Sequence, residues 1–291
     1  MIMLFSGFLS AQAQTVRPPA VAGMFYPENP DKLKSMVTRF LEQAEEAITG
    51  DIGGLVAPHA GYIYSGPVAG WAYRQIQGRH YDYVIVISPS HFDYFNGISV
   101  YSGDAYQTPL GIIPIEKQLA TKLAQHHPDI QLSTAGHYVQ PGSRNEHALE
   151  VHLPFLQVAL GQFKLIPVVM GDQNLENAKI LADAIANTFS DKKALIVASS
   201  DLSHYHSYKI AHEMDLQLAN LFDNFKYQEI SQKCESRQLE ACGFGPIISM
   251  MMACEKMGFS KSKTVRYATS GDVPIGEKDQ VVGYLGGVVY K

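Results

Sequence analysis

A chain of 291 residues, 46% hydrophobic and 18% charged, can bury one large core or two smaller ones and has the composition of an ordinary globular protein. Its formal charge of −5, with lysines and arginines scattered singly, offers no basic patch for nucleic acid or for an anionic membrane surface. The three cysteines, Cys234, Cys242 and Cys254, are irregularly spaced, which excludes a disulfide framework and leaves at least one free thiol.

The chain opens on an apolar stretch, Met1 to Ser10, followed by Ala11-Gln12-Ala13 with the small-x-small pattern of a signal-peptidase site. No basic residue precedes it, the first being Arg17. Residues 1–14 therefore have two readings: a removable signal peptide on an exported protein, or a hydrophobic tail on a cytoplasmic one. No later run reaches the ~18 apolar residues of a membrane-spanning helix. Residues 15–291 show no low-complexity linker, charge block or shift of composition, and read as a single domain.

Helical spacing of Leu33, Met36, Val37, Phe40, Leu41 and Ala44 predicts a helix over 31–48. A buried strand over 53–57 leads into a helix over 66–77, and Tyr83 to Ser88 is an apolar strand of the kind found in sheets covered on both faces. A short strand over 98–101 precedes a proline- and glycine-punctuated loop around T-P-L-G-I-I-P. Helices follow over 116–126 and 148–160, a strand over 163–170, a helix over 175–190 and a strand over 194–199. Helices over 209–222 and 245–257 and strands over 265–269 and 281–290 complete the chain. This alternation predicts an α/β fold, a mixed and largely parallel sheet with helices on both faces, whose ligands bind beyond the carboxyl ends of the strands.

Those ends carry the chemistry. L-V-A-P-H puts His59 after the first strand, V-I-V-I-S-P-S-H puts His91 after the second, and A-L-I-V-A-S-S-D-L-S-H puts Asp201 and His204 after a third. A lone histidine in a loop is usually a surface or capping residue; several at the same kind of strand end predict one site. In N-E-H-A-L-E-V-H-L-P-F, Glu146 and His147 stand where a helix is expected to begin, and either the helix dipole or the site accounts for them. His147 and His152 are five apart, which argues against a zinc pair on one helical face. Cys242, in E-A-C-G-F-G-P, stands just ahead of an apolar helix, where a thiolate is favoured, whereas Cys254 reads as a core residue. Two histidines and a thiolate can hold iron, copper or zinc and leave positions open. There is no P-loop, no dinucleotide-binding glycine fingerprint and no G-x-S-x-G elbow.

Taken in order, A-G-M-F-Y-P, A-P-H-A-G-Y-I-Y-S-G, S-P-S-H, T-P-L-G, E-H-A-L-E-V-H-L-P-F, S-S-D-L-S-H-Y and C-G-F-G-P resemble the Memo family. Its bacterial and archaeal members are often called component B of the AmmeMemoRadiSam system. The resemblance runs from about Arg17 to the C-terminus and implies a fold similar to class III extradiol dioxygenases. It implies metal ligation by His59, His91 and Cys242, acid–base or supporting roles for Asp201 and His204, and a cleft shared with His147; from the residues' own chemistry we expect His204, oriented by Asp201, to move protons and Glu146 to line the same pocket. The resemblance further implies an iron or copper ion, with zinc also accommodated. Dioxygenases use two histidines and a carboxylate, so the thiol here separates the fold from oxygenase activity. The expectation is a metal-dependent redox or dioxygenase-like enzyme. The competing readings are a non-catalytic module that binds a peptide or small molecule, and a metal-buffering protein.

Overall fold

The computed structural model describes residues 15–291, so the proposed signal peptide or tail over 1–14 lies outside the described residues. In chain order the elements are β1 (Val16–Arg17), α1 (Pro30–Glu42), β2 (Ile52–Ala57), α2 (Tyr62–Arg74), β3 (Tyr83–Pro89), β4 (Ile98–Tyr101), β5 (Ala105–Thr108), β6 (Gly111–Pro114), α3 (Lys117–Ala124) and β7 (Ile130–Ser133). There follow α4 (Leu153–Leu160), β8 (Lys164–Met170), α5 (Leu175–Phe189), β9 (Ala194–Ser199), β10 (Asp201–His206), α6 (Tyr208–Asp223), α7 (Tyr227–Glu235), α8 (Phe244–Lys256), β11 (Lys261–Thr269) and β12 (Val281–Tyr290). No helix of the described residues is long and apolar enough to cross a membrane.

The main sheet runs β10-β12-β2-β9-β3-β8-β4-β7, with β11 also paired to β12. Its centre, β2, β9, β3 and β8, is parallel, with antiparallel neighbours β12 and β4 on either side. The apolar runs explain that centre: Val84, Ile85, Val86 and Ile87 of β3 and Leu195, Ile196 and Val197 of β9 are fully buried. Each such side chain contributes about 1.5–3 kcal/mol through burial. Along β12, Gly286 faces Ala72 of α2 while Gly287 faces Phe222 of α6, so helices cover both faces. α1 and α4 pack with α2 on one side, and α5 and α7 pack with α8 on the other. A small sheet, β1-β5-β6, sits apart from the main one.

Local chemistry shifts several predicted boundaries. The helix expected over 31–48 stops at Glu42, because Gln75 takes the amides of Ala47 and Ile48 and donates to the Glu45 carbonyl, while Arg79 donates to the carbonyls of Ile48 and Gly50. Side-chain partners replace the helical ladder there. The helix expected from residue 66 begins at Tyr62. The one expected from residue 148 begins at Leu153 after a single 3₁₀ turn, Glu150–His152. The loop around T-P-L-G-I-I-P is the β5–β6 hairpin, and β1, β7, β10 and α7 were not foreseen.

Candidate functional site

Because β9 lies between β2 and β3, three adjacent parallel strands end side by side. Proline stops the first and third. Pro58 follows β2 and delivers His59; β3 ends on Pro89 and delivers His91. The two rings meet edge-on with centroids 5.1 Å apart. The third run does not end in a turn, as expected, but continues after Ser200 into β10, so His204 stands on a strand.

His59 is 2% exposed, and burial together with neighbouring His91 and His147 holds its ring neutral, well below the ordinary imidazole range. Its tautomer follows from one hydroxyl. Ser199 Oγ donates its single proton to the Ala148 carbonyl at 2.7 Å, so toward His59 Nδ1, also at 2.7 Å, it accepts. The imidazole proton is therefore on Nδ1, and Nε2 presents its lone pair to the cleft.

Glu146 orients His91. Its carboxylate accepts the His91 backbone N–H and the His91 Nδ1–H at 3.0 Å, and also the amides of His147 and Ala148 at 2.8 and 2.9 Å. Burial works against this carboxylate, but the hydrogen bond and charge of His91 and the amides outweigh it and hold the group at about 2. Burial likewise opposes a charge on His91, and Glu146 overrides it, raising the ring above its ordinary value. His91, Glu146 and His147 offer donor atoms within 4.8 Å of one another. With four N–H groups on its two oxygens, three of them on Oε1, Glu146 is well placed to orient His91.

Cys242 comes from the other direction, just ahead of α8. Its Sγ lies 3.2 Å from His59 Nε2 and 3.3 Å from the Asp201 amide nitrogen. The turn is held by Gln173, whose amide donates to the Cys242 carbonyl at 2.8 Å and accepts from Gly245 N at 3.1 Å, and by Ser200 Oγ, which accepts from Gly243 N at 2.9 Å. Only glycine fits at 243, since a Cβ would lie 2.0 Å from the Ser199 carbonyl oxygen. Burial, with the charge of Asp201, pushes the Cys242 thiol upward, so it carries its proton until something displaces it.

The structure thus brings His59, His91 and Cys242 together, their donor atoms all within 4.8 Å. His147 joins them, stacked on His91 at 5.4 Å and capped by Phe25 at 4.5 Å. Asp201 faces His59 rather than His204. Its Oδ1 accepts the His59 amide at 2.8 Å, Oδ2 is 3.9 Å from His59 Nε2, and burial raises the carboxyl to about 7. Asp201 therefore does not orient His204. The His204 amide donates to Glu240 Oε2 at 3.1 Å, and its half-buried ring lines a cavity of about 400 Å³ with Cys242, Arg237 and Glu240. Next to it, Tyr205 is exposed and adopts φ 61°, a left-handed conformation uncommon for tyrosine.

Sequence reasoning missed Ser199, Gln173 and Arg17. Arg17 forms a buried ion pair with Glu150 at 2.7 Å beneath the Glu146 loop. His152, set aside above only for its spacing from His147, is a fully buried ring that meets Tyr73 Oη at 2.9 Å through Nδ1, while Nε2 has no partner among the described residues. Burial lowers this imidazole from 6.5 to about 3. A histidine lowered in the folded state contributes stability above its unfolded value near 6.5, lost as pH falls toward 3. Between pH 7 and pH 4 the His152→Leu protein is expected to lose less stability than wild type, by on the order of 3 kcal/mol. Urea denaturation at both pH values measures this; an equal loss in the two proteins rules out His152 as the cause.

A sequence profile of Memo-like proteins matches residues 17–288. A MEMO1 family protein of Nitrosopumilus maritimus is 32% identical over 279 residues, covering 92% of this chain and 98% of its own length. Another, from Methanosarcina mazei, is 36% identical over 277 residues, covering 94% and 99% respectively. Among solved structures, an uncharacterized Escherichia coli K12 protein aligns with a TM-score of 0.53 at 13% identity, over 81% of this chain and 99% of that one, a likeness of fold.

Proposed function

This chain belongs to the Memo-like family, and from that premise we propose that its strand-end cleft holds one metal ion on His59, His91 and Cys242 and serves a redox or dioxygenase-like reaction on a small molecule or peptide. The observation that carries the reading is the pairing of His59 Nε2, its lone pair turned to the cleft by Ser199, with Cys242 Sγ 3.2 Å away. Donors sharing one ion at 2.0–2.3 Å each stand roughly 3–4 Å apart, so this separation fits. Two neutral nitrogens and one thiolate suit iron, copper or zinc.

When bound, iron or copper supplies redox chemistry, and zinc supplies Lewis acidity. The protein's own groups supply the rest. Ser199 fixes the His59 tautomer, Glu146 aims His91, and the Gln173–Ser200–Gly243 contacts hold the thiol in place. His204 is the proton carrier: burial lowers its ring, so it is neutral near pH 7 and free to accept a proton from a ligand in the cavity it shares with Cys242. Exposed Phe92, with its ring centroid 6.2 Å from that of His91 and 6.0 Å from that of His147, offers apolar contact to the ligand.

The test is elemental analysis of anaerobically purified protein, followed by titration of the metal-free protein with Co²⁺. One equivalent per chain with a sulfur-to-cobalt charge-transfer band is expected. Failure to bind Co²⁺, or binding without that band, removes the metal from this cleft.

A further inference from the structure

We propose that Arg17 is a positioning residue for His91, acting through Glu146; the inference rests on the metal-site reading above. Arg17 lies in β1, opposite Tyr106 of β5, and its guanidinium is 4.9 Å from the Tyr106 ring centroid. Though only 4% exposed, it spends its planar fork on three close acceptors, with a longer contact of 3.4 Å from Nη1 to the Pro18 carbonyl. Nε donates to the His137 carbonyl at 2.7 Å, Nη1 to Glu150 Oε2 at 2.7 Å, and Nη2 to the Glu146 carbonyl at 2.6 Å. The third contact grips the main chain of the residue whose carboxylate binds both the His91 amide and the His91 ring.

Each joint of this relay is hydrogen-bonded on more than one side. Glu150, the anchor of the fork, also accepts the amides of Ala20 and Val21 and the Tyr26 hydroxyl. His137, which supplies the remaining carbonyl, is itself held at 2.5 Å by Tyr106 Oη. Arg17 thus fixes where the Glu146 backbone stands, and four N–H groups fix where its carboxylate points. His59 meets this relay only at one remove, through Ser199 on the Ala148 carbonyl, and Cys242 is held from another side by Ser200 and Gln173. Loss of the fork should therefore displace one of the three proposed ligands and leave two in place. A lysine keeps the charge beside Glu150 but, as a point charge, cannot span three acceptors.

The experiment compares wild type, Arg17→Lys and Arg17→Met as full-length proteins, each shown to be folded at the working temperature by circular dichroism. Co²⁺ is the probe. Both variants should keep the sulfur-to-cobalt band, bind Co²⁺ about 10–100-fold more weakly, as expected for loss of an outer hydrogen-bond partner, and show altered cobalt d–d bands. A merely structural role lowers the melting temperature and leaves affinity and spectrum unchanged; that result overturns the inference. If wild type binds no Co²⁺, the metal-site reading fails, and the positioning role is decided by NMR of the metal-free proteins. The slowly exchanging His91 Nδ1–H proton, bonded to Glu146, should be present in wild type and lost in Arg17→Met. Its persistence in the variant likewise overturns the inference.

Discussion

Replacing Cys242 by serine is expected to strip the cleft of metal, with affinity falling beyond the ~100-fold that loss of an outer hydrogen-bond partner brings. A serine hydroxyl is harder than a thiol and far less acidic, and it cannot give the thiolate that softer metals select. The side chain is nearly isosteric, and Gln173 and Ser200 still hold the turn, so folding should survive. His204→Ala should do the reverse. Its ring is assigned to proton transfer, so metal content should stay near wild type, while any turnover falls by about 10²–10⁴-fold, the usual contribution of a positioned acid or base. Metal stoichiometry and melting temperature measured side by side decide the matter before any substrate is known. Equal metal loss in both variants would remove the division of roles between Cys242 and His204.

Removing the carboxylate of Glu150 should be the most destabilising single change near the site. It accepts four donors: Arg17 Nη1 at 2.7 Å, the amides of Ala20 and Val21 at 2.7 and 3.1 Å, and the Tyr26 hydroxyl at 2.5 Å. Glu150→Ala leaves a buried guanidinium without its countercharge, which costs about 3–5 kcal/mol. At roughly 2–4 °C per kcal/mol for a chain of this size class, the melting temperature should fall by on the order of ten degrees. Adding Arg17→Met to that variant should recover much of the loss, because no unpaired charge then remains. A Glu150→Ala protein within about 1 kcal/mol of wild type in chemical denaturation, the worth of an exposed pair, would show that the pair is replaceable.

The parts of this fold written plainly in the sequence are those where pattern alone decides. Buried on both faces, β3 and β9 leave no room for polar residues, so Y-V-I-V-I-S and A-L-I-V-A-S are unambiguous runs. α7, Y-Q-E-I-S-Q-K-C-E, buries only Ile230, Ser231 and Cys234, and so few apolar positions show no period. β10, D-L-S-H-Y-H, was hidden because its polar residues face a site and its backbone leaves the strand conformation at Tyr205. The cleft divides the same way. His59, His91 and Cys242 stand beside proline and glycine at predicted strand or helix ends, and that punctuation exposes them. The groups that set their tautomer and direction are ordinary letters: Ser199 closes an apolar run, and Arg17 read only as the first cation. Each acts on a residue distant in the chain, Arg17 on Glu150 across 133 positions and Ser199 on His59 across 140. A single sequence carries no mark of such pairings.

The form of β10 has a consequence for how the protein meets its surroundings. It is the edge of the main sheet, and an edge strand is a template on which another chain can add a strand and spread. Here two register shifts against β12 within six residues, with Tyr205 turned left-handed inside the second, break the even spacing that template needs. The Ser203 and His204 amides are already taken by the carboxylates of Asp215 and Glu240, at 3.1 Å each. The border of the sheet that carries His204 is therefore closed to backbone-to-backbone addition and open to side chains, so a visitor is read there by its functional groups and not by its extended shape.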